Sequence, residues 1–172
     1  MITPTFHLIG LPTDCNSSFA RGPAAAPAAI REALWSERGN LAAEDGQEIG
    51  HDFLLEDRGD LLLTETPDDD AIIRNAVTES LTAGAMPILL GGDHAVSFPI
   101  VQAIAAKHGP VNILHFDAHP DLYDDFAGNP RSHASPFARI LEAGLCRRLV
   151  QVGIRTLNRH CREQAARFGV EI

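Results

Sequence analysis

The sequence predicts an α/β fold in which a largely parallel sheet is covered by helices on both faces, a three-layer α-β-α arrangement. Short apolar runs alternate with longer segments of helical periodicity throughout the 172 residues. Several of the apolar runs end in glycine, which is typical of a buried strand that turns sharply into a helix. Strands that alternate with helices in this way pair in parallel through right-handed crossovers.

The first half of the chain supplies two such units. Residues 5–10 (TFHLIG) predict a strand, and residues 27–35 (PAAIREALW) predict a helix because proline stands near its start. A second helix is predicted over residues 67–83, because acidic side chains occupy its first turn, where they interact favourably with the positive end of the helix dipole. Residues 87–90 (PILL) then predict a buried strand closed by two glycines.

The second half repeats the pattern. The predicted elements are a helix over residues 96–107, a strand over 111–116 (VNILHF), a helix over 136–143, a strand over 148–152 and a helix over 158–168. Residues 168–172 (FGVEI) predict a helix end followed by the first residues of a further buried strand. We therefore expect a single domain over residues 1–172 whose sheet is truncated at the C-terminal end.

Charge and cysteine content narrow the classes of function. Acidic residues outnumber basic ones by 23 to 14, for a formal net charge of -9, so we expect neither nucleic acid nor an anionic membrane as a partner. The negative field favours a cationic small molecule, although surplus carboxylates also serve solubility alone. Cys15, Cys146 and Cys161 form no CxxC pair, which argues against a disulfide framework and a zinc knuckle. With no signal-peptide pattern in the sequence, we expect a cytosolic protein.

Two polar clusters follow predicted strands, at the edge of a parallel sheet where ligands bind. His94 closes the GGDH motif after the PILL strand, and the DAHPD motif after VNILHF supplies Asp117, His119 and Asp121. A lone His or Asp at a strand end is more often a cap or a satisfied hydrogen-bonding group. The density of the second cluster instead predicts a metal site, because carboxylate and imidazole without thiolate suit manganese or a similar divalent ion.

A third motif, SHASPF, places His133 directly before a predicted helix. An imidazole with a near-neutral pKa can move protons beside a metal site. It can equally serve as a hydrogen-bonding residue at the start of the helix. The residues alone leave these two interpretations open.

With these motifs, the sequence resembles the ureohydrolase family, which includes arginase, agmatinase and formimidoylglutamase. GGDH, DAHPD and SHASPF carry the resemblance, and the flanking segments NSSFARGPAAAPAAIREALW and RRLVQVGIRTLNRHCREQAARFGVE extend it over nearly the whole chain. The pattern is most similar to plant-type arginases and their bacterial agmatinase-like relatives. It implies an arginase-like form of the predicted α/β fold, with this chain matching the N-terminal half.

The resemblance implies manganese-dependent hydrolysis of a guanidino group, in which arginine or agmatine yields urea and an amine, ornithine or putrescine. His94, Asp117 and Asp121 would bind one Mn²⁺ ion. His119 and the second oxygen of Asp117 would bind the other, so that Asp117 bridges the two ions of each active site. Water activated between the ions, as a bridging hydroxide, would attack the guanidinium carbon.

The same resemblance assigns further roles. His133 and Asp121 would be catalytic residues, and His133 would move protons during the reaction. Asn129 and Ser132 would contact the amino-acid end of the substrate. A small cationic guanidino compound would be the partner, bound by a homo-oligomer, a trimer or a hexamer.

One departure from the family pattern leaves an alternative open. The later SxDxDxxDP motif, which supplies two more aspartate ligands, does not occur in these 172 residues, so one ion would keep three protein ligands and the other two. The alternative is a catalytically inactive, metal-binding fragment.

A dinuclear phosphoesterase is the least favoured interpretation, because Arg131 alone cannot bind a phosphate group tightly. No residue in the loop over 123–131 decides between arginine and agmatine, which differ by a carboxylate.

Overall fold

The computed structural model describes residues 3–172, and its α-helices and β-strands alternate as the sequence predicts. By the density of its internal contacts, the chain divides into two compact units. The described part of unit 1 comprises residues 3–15 and 21–92, and unit 2 comprises residues 16–20 and 93–172. The single domain over residues 1–172 stays a prediction.

Unit 1 contains a three-stranded parallel sheet with two helices. Its elements are β1 (Thr5–Leu11), a 3₁₀ turn (Pro23–Ala25), α1 (Ala26–Leu34), β2 (Leu54–Asp60), α2 (Asp69–Thr82) and β3 (Met86–Gly91). The strand order is β2-β1-β3, and the register pairs Leu8 of β1 with Asp57 on one side and Ile88 on the other. Because β1 is central, its last five residues are buried, as expected for its apolar sequence.

The edge strand β2 is an element that the sequence did not predict. Six of its seven residues (LLEDRGD) are exposed, so it shows neither an apolar run nor alternation. Its main chain pairs with β1, and Arg31 of α1 donates hydrogen bonds to Asp57 (3.0 Å) and to the carbonyl of Gly59 (2.8 Å). Backbone pairing and these polar contacts, rather than side-chain burial, hold the strand.

Unit 2 contains a two-stranded parallel sheet with three helices. Its elements are a 3₁₀ turn (His94–Val96), α3 (Ser97–His108), β4 (Val111–Phe116), α4 (Pro136–Glu142), β5 (Cys146–Val152) and α5 (Arg159–Phe168). Successive side chains of β4 point to opposite faces. His115 is therefore buried, while its neighbours Leu114 and Phe116 are exposed.

A cluster of buried apolar side chains forms the core of unit 2, and α4 and α5 contribute to it. Its members are Leu122, Phe137, Ile140, Leu149 and Ala165. Asn158 caps α5 by accepting a hydrogen bond from the amide of Cys161 (2.9 Å), and Gly169 ends the helix in the left-handed conformation. This chain end then brings Glu171 into a parallel bridge with Val150, at the position where the sequence predicts the start of a further strand.

The sheet differs from the single one that the sequence predicts. All strand pairs are parallel, but the described residues form two separate sheets, in which β3 and β4 each pair with one other strand. Alternation of strands and helices predicts parallel pairing, yet it carries no information on which strands are neighbours. Cys15, Cys146 and Cys161 form no disulfide bond with one another. Among the described residues, no helix combines the length and apolar character needed to cross a membrane.

Candidate metal centre

The GGDH motif turns the chain sharply after β3. A side chain on Gly92 would lie 2.0 Å from the carbonyl oxygen of Thr13, so only glycine lets the backbone pass this closely. Asp93 caps the following 3₁₀ turn, because its carboxylate accepts hydrogen bonds from the amides of Ala95 (2.9 Å) and Asn16 (2.8 Å). These contacts fix the turn that presents His94.

His94 is in contact with Asp121, and the two are predicted ligands of the same metal ion. The Nδ1 atom of His94 lies 2.6 Å from Oδ2 of Asp121, and Asp121 is 9% exposed. Asp121 has a φ angle of 48°, in the left-handed region that aspartate tolerates better than most residues. Its carbonyl accepts a hydrogen bond from the amide of Phe137 (3.2 Å), which links the DAHPD loop to the start of α4.

Asp117 and His119 form a second contact within the same loop. Oδ1 of Asp117 accepts a hydrogen bond from the His119 amide (2.8 Å) and lies 3.2 Å from Nδ1 of the His119 ring. Burial acts to raise the pKa of Asp117, but the His119 amide and the nearby His115 outweigh it and hold the pKa below its ordinary value. Asp117 is therefore ionised at neutral pH, as a metal ligand must be.

His115 joins these residues although the sequence did not predict it as part of the site. One nitrogen of His94, one of His115 and one carboxylate oxygen of Asp117 all lie within 4.8 Å of one another. The His94 and His115 rings are 5.3 Å apart, and the Phe137 ring lies 4.4 Å from His115. Burial and the nearby His94 lower the pKa of His115, which favours the neutral imidazole.

The chemistry of this cluster fits a divalent ion of the manganese type. The predicted ligands are imidazole nitrogens and carboxylate oxygens, without a thiolate, and they come from the turn after β3 and from the loop that follows β4. Borderline-hard divalent ions prefer this set of ligands. The predicted ligands thus meet in two contacting pairs, His94 with Asp121 and Asp117 with His119.

Two of the remaining predicted site residues, Asn129 and His133, are in contact with Asn16. The carbonyl of Asn16 accepts a hydrogen bond from the His133 amide (3.1 Å), and its side chain accepts one from Asn129 (3.0 Å). Ser18 Oγ lies 2.7 Å from His133 Nε2. The half-buried His133 ring is thus held by a polar contact from the 16–20 segment of unit 2.

Ser132 is buried, and its hydroxyl makes a local hydrogen bond. Its side chain is 2% exposed, and its hydroxyl accepts a hydrogen bond from the Ala134 amide (3.3 Å) within the same turn. The contacts of Asn129 and Ser132 with a substrate stay predictions.

Sequence reasoning missed His115, Asn16 and Ser18. A signal for His115 does exist, because it precedes Asp117 by two residues at the end of a strand, and side chains two apart share a face of the sheet. Asn16 and Ser18 carry no comparable signal. They meet Asn129 and His133 across more than a hundred residues of sequence, a contact that only the tertiary structure creates.

Comparison with known proteins identifies the family to which the chain belongs. A model of the arginase family matches residues 4–172. The chain belongs to the arginase family. The chain is 50% identical over 173 residues to "Arginase 1, mitochondrial" of Arabidopsis thaliana, with 95% of this chain and 51% of that relative covered. It is 39% identical over 152 residues to "Agmatinase, mitochondrial" of Gallus gallus, with 86% and 44% covered.

A solved structure of another family member supports the fold directly. The arginase from Medicago truncatula has a TM-score of 0.92 to this chain at 42% identity, with 99% of this chain and 56% of that structure covered. The predicted arginase-like α/β fold is therefore confirmed. The chain spans about half the length of the curated arginase-family relatives it matches.

The comparisons also correct one expectation. Plant arginases that match the chain are named as mitochondrial or chloroplastic proteins, so the expectation of a cytosolic protein is wrong. That expectation came from the absence of a signal-peptide pattern, which bears on secretion and not on location in an organelle.

Proposed function

We propose that the protein is a metal-dependent guanidino hydrolase that acts on arginine and releases urea and ornithine. The observation that carries this proposal is the convergence of His94, Asp117 and Asp121 with His119 at the ends of β3 and β4. A set of imidazoles and carboxylates in this density exceeds what strand capping requires. Membership of the arginase family supports the choice of reaction.

The proposed ligands divide between two Mn²⁺ ions. His94 and Asp121, whose ligand atoms are 2.6 Å apart, would bind one ion together with Asp117. His119 and the second oxygen of Asp117 would bind the other. When bound, the ions would lower the pKa of a water molecule so that it attacks the guanidinium carbon near neutral pH.

The protein's own residues would orient the substrate and move protons. The carboxylates and the net charge of -9 attract a guanidinium cation. His133, held at Nε2 by Ser18 (2.7 Å), would take up a proton at that nitrogen and deliver it to the leaving amine. Asn129 and Ser132 would lie toward the amino-acid end of the substrate.

Arginine is the preferred substrate in this proposal because the chain is 50% identical to a relative named arginase and 39% identical to one named agmatinase. The two substrates differ by one carboxylate, so a site that holds arginine needs a group to bind that charge. Like the family pattern from which it is drawn, the proposal includes a homo-oligomer, a trimer or a hexamer, as the active form.

The test is urea release by the purified full-length protein, measured with arginine and with agmatine, each with and without added Mn²⁺. We expect Mn²⁺-dependent urea release that is faster with arginine. Asp117→Asn is the matched control, since it keeps the size of the side chain and removes the bridging charge. Faster release with agmatine would reassign the substrate. Manganese binding without urea from either compound would favour the catalytically inactive, metal-binding alternative.

A further inference from the structure

We infer that His115 and Gln151 act as a hydrogen-bonded pair that positions Asp117, and that His115 is a positioning residue and not a metal ligand. The inference deepens the proposed function and rests on it, because Asp117 is the carboxylate that would bridge the two ions. Both members of the Gln151–His115 pair are buried, at 3% and 8% exposure. Neither was singled out by the sequence.

The orientation of the Gln151 side-chain amide is set by Pro120. Gln151 Nε2 lies 2.7 Å from the carbonyl oxygen of Pro120, and a carbonyl oxygen can only accept a hydrogen bond. The nitrogen end of the amide must therefore face Pro120. The same nitrogen lies 3.1 Å from Nδ1 of His115, so its second hydrogen is available for the imidazole.

This contact fixes which nitrogen of His115 carries hydrogen. Because Gln151 donates to Nδ1, that nitrogen must offer its lone pair, and the hydrogen of the imidazole is on Nε2. Nε2 lies 3.5 Å from Oδ2 of Asp117. Among the residues that the structure describes, no hydrogen bond satisfies this buried nitrogen, and the Asp117 carboxylate at 3.5 Å is an acceptor that a small shift of either side chain would bring within hydrogen-bond distance.

A ligand role for His115 conflicts with these contacts. A metal would need the lone pair of Nε2, which would move the hydrogen to Nδ1 and bring two donors face to face at 3.1 Å. Rotation of the Gln151 amide does not relieve the conflict, because it would place Oε1 against the Pro120 carbonyl, where two acceptors would repel each other. Proximity alone groups His115 with His94 and Asp117, and the hydrogen bonds decide against coordination.

The function of the pair follows from the two oxygens of Asp117. Oδ1 accepts a hydrogen bond from the His119 amide and lies 3.2 Å from Nδ1 of the His119 ring, and Oδ2 lies 3.5 Å from Nε2 of His115. In the inferred arrangement, the His119 amide and the Nε2–H of His115 together hold the carboxylate plane in one orientation. A bridging carboxylate needs a fixed plane, since each of its oxygens must point at a different ion. Groups of this kind behind metal ligands change metal affinity about 10–100-fold.

The first test is the affinity of the full-length protein for Mn²⁺, measured by titration calorimetry in His115→Leu and His115→Gln. Glutamine keeps an N–H donor near the position of Nε2 but offers no imidazole lone pair, so it is the matched control. We expect His115→Leu to lose about 10–100-fold in Mn²⁺ affinity and His115→Gln to recover most of that loss. Equal losses in the two variants would show that His115 is a ligand and would overturn the inference.

The second test reads the position of the hydrogen and does not depend on activity. Nitrogen NMR of the metal-free protein, labelled at histidine, distinguishes a protonated Nε2 from a protonated Nδ1. We expect a protonated Nε2 in the parent protein and loss of this preference in Gln151→Leu. A protonated Nδ1 in the parent would overturn the inference.

Failure of the proposed function would leave a different result. Suppose that the protein binds Mn²⁺ and that the two His115 variants show the expected affinities, but that no urea is released. This result would support the inference about Gln151 and His115 and contradict the proposed hydrolase activity. Absence of Mn²⁺ binding would contradict the proposed function, and the inference about Gln151 and His115 would then be tested by the NMR measurement alone.

Discussion

Replacement of Phe137 by alanine tests how the core of unit 2 supports the candidate metal centre. Phe137 is 3% exposed and belongs to the apolar cluster of this unit. Its ring lies 4.4 Å from that of His115 and 5.4 Å from that of His94. The same side chain thus contributes to the core and packs against two imidazoles of the site.

The expected cost follows from this burial. Removing a fully buried phenylalanine destabilises a protein by about 3–5 kcal/mol, through lost transfer free energy and the cavity left behind. In a chain of 172 residues, each kcal/mol lowers the melting temperature by roughly 2–4 °C, so we expect a decrease of roughly 6–20 °C. Phe137→Leu keeps most of the volume and should cost about 1.5 kcal/mol.

The assay is thermal unfolding of the metal-free protein, followed by circular dichroism, together with Mn²⁺ titration at a temperature where both variants are folded. We expect Phe137→Ala to weaken Mn²⁺ binding by about tenfold, because His94 loses the ring that fixes its orientation. Phe137→Leu should bind nearly as the parent does. Full Mn²⁺ affinity in a destabilised Phe137→Ala protein would refute the reasoning, since hydrogen bonds alone would then hold the imidazoles.

Three further predictions concern individual polar residues. Asp117→Asn should lose both Mn²⁺ ions and Asp121→Asn only one, measured as metal per chain by mass spectrometry; equal losses would count against the bridging role. His133→Ala should keep its metal and slow urea release by about 10²–10⁴-fold, and a loss of metal would mean that its role is misplaced. The Gly22 amide, with Arg21 nearby, lowers the pKa of Asp14 below its ordinary value of 3.8. The ionised carboxylate therefore stabilises the fold above pH 3.8, and this stabilisation is lost as the pH falls through the lowered pKa. Asp14→Asn should therefore lower the melting temperature at pH 7, with a difference from the parent that narrows in acid; a constant difference would contradict this.

The predictable part of the fold is the part in which side-chain burial follows sequence. The strand over residues 111–116 and the helix over 136–143 were predicted to within one residue of β4 and α4, because an apolar run and a proline at the helix start are local signals. β2 was not predictable in this way. Its LLEDRGD sequence is stabilised by backbone hydrogen bonds to β1, which no pattern of apolar side chains records.

Some residues of the candidate site could be predicted from local sequence, and others could not. His94 follows β3, and Asp117, His119 and Asp121 follow β4, so their positions in the sequence place them just beyond the carboxyl ends of parallel strands, where ligands bind. Asn16 approaches His133 through a contact between distant segments, and the orientation of Gln151 depends on the carbonyl of Pro120. Such contacts depend on how elements pack, and a sequence without its structure holds no local signal for them.

The most direct test of the metal site is a crystal structure of the full-length protein grown with Mn²⁺, with data collected at the manganese absorption edge. The anomalous signal locates the ions without reference to the protein. We predict two peaks, one bound by His94 and Asp121 and one by His119, with an oxygen of Asp117 on each. A single peak that Asp117 does not touch, or no peak at these residues, would contradict the proposed site.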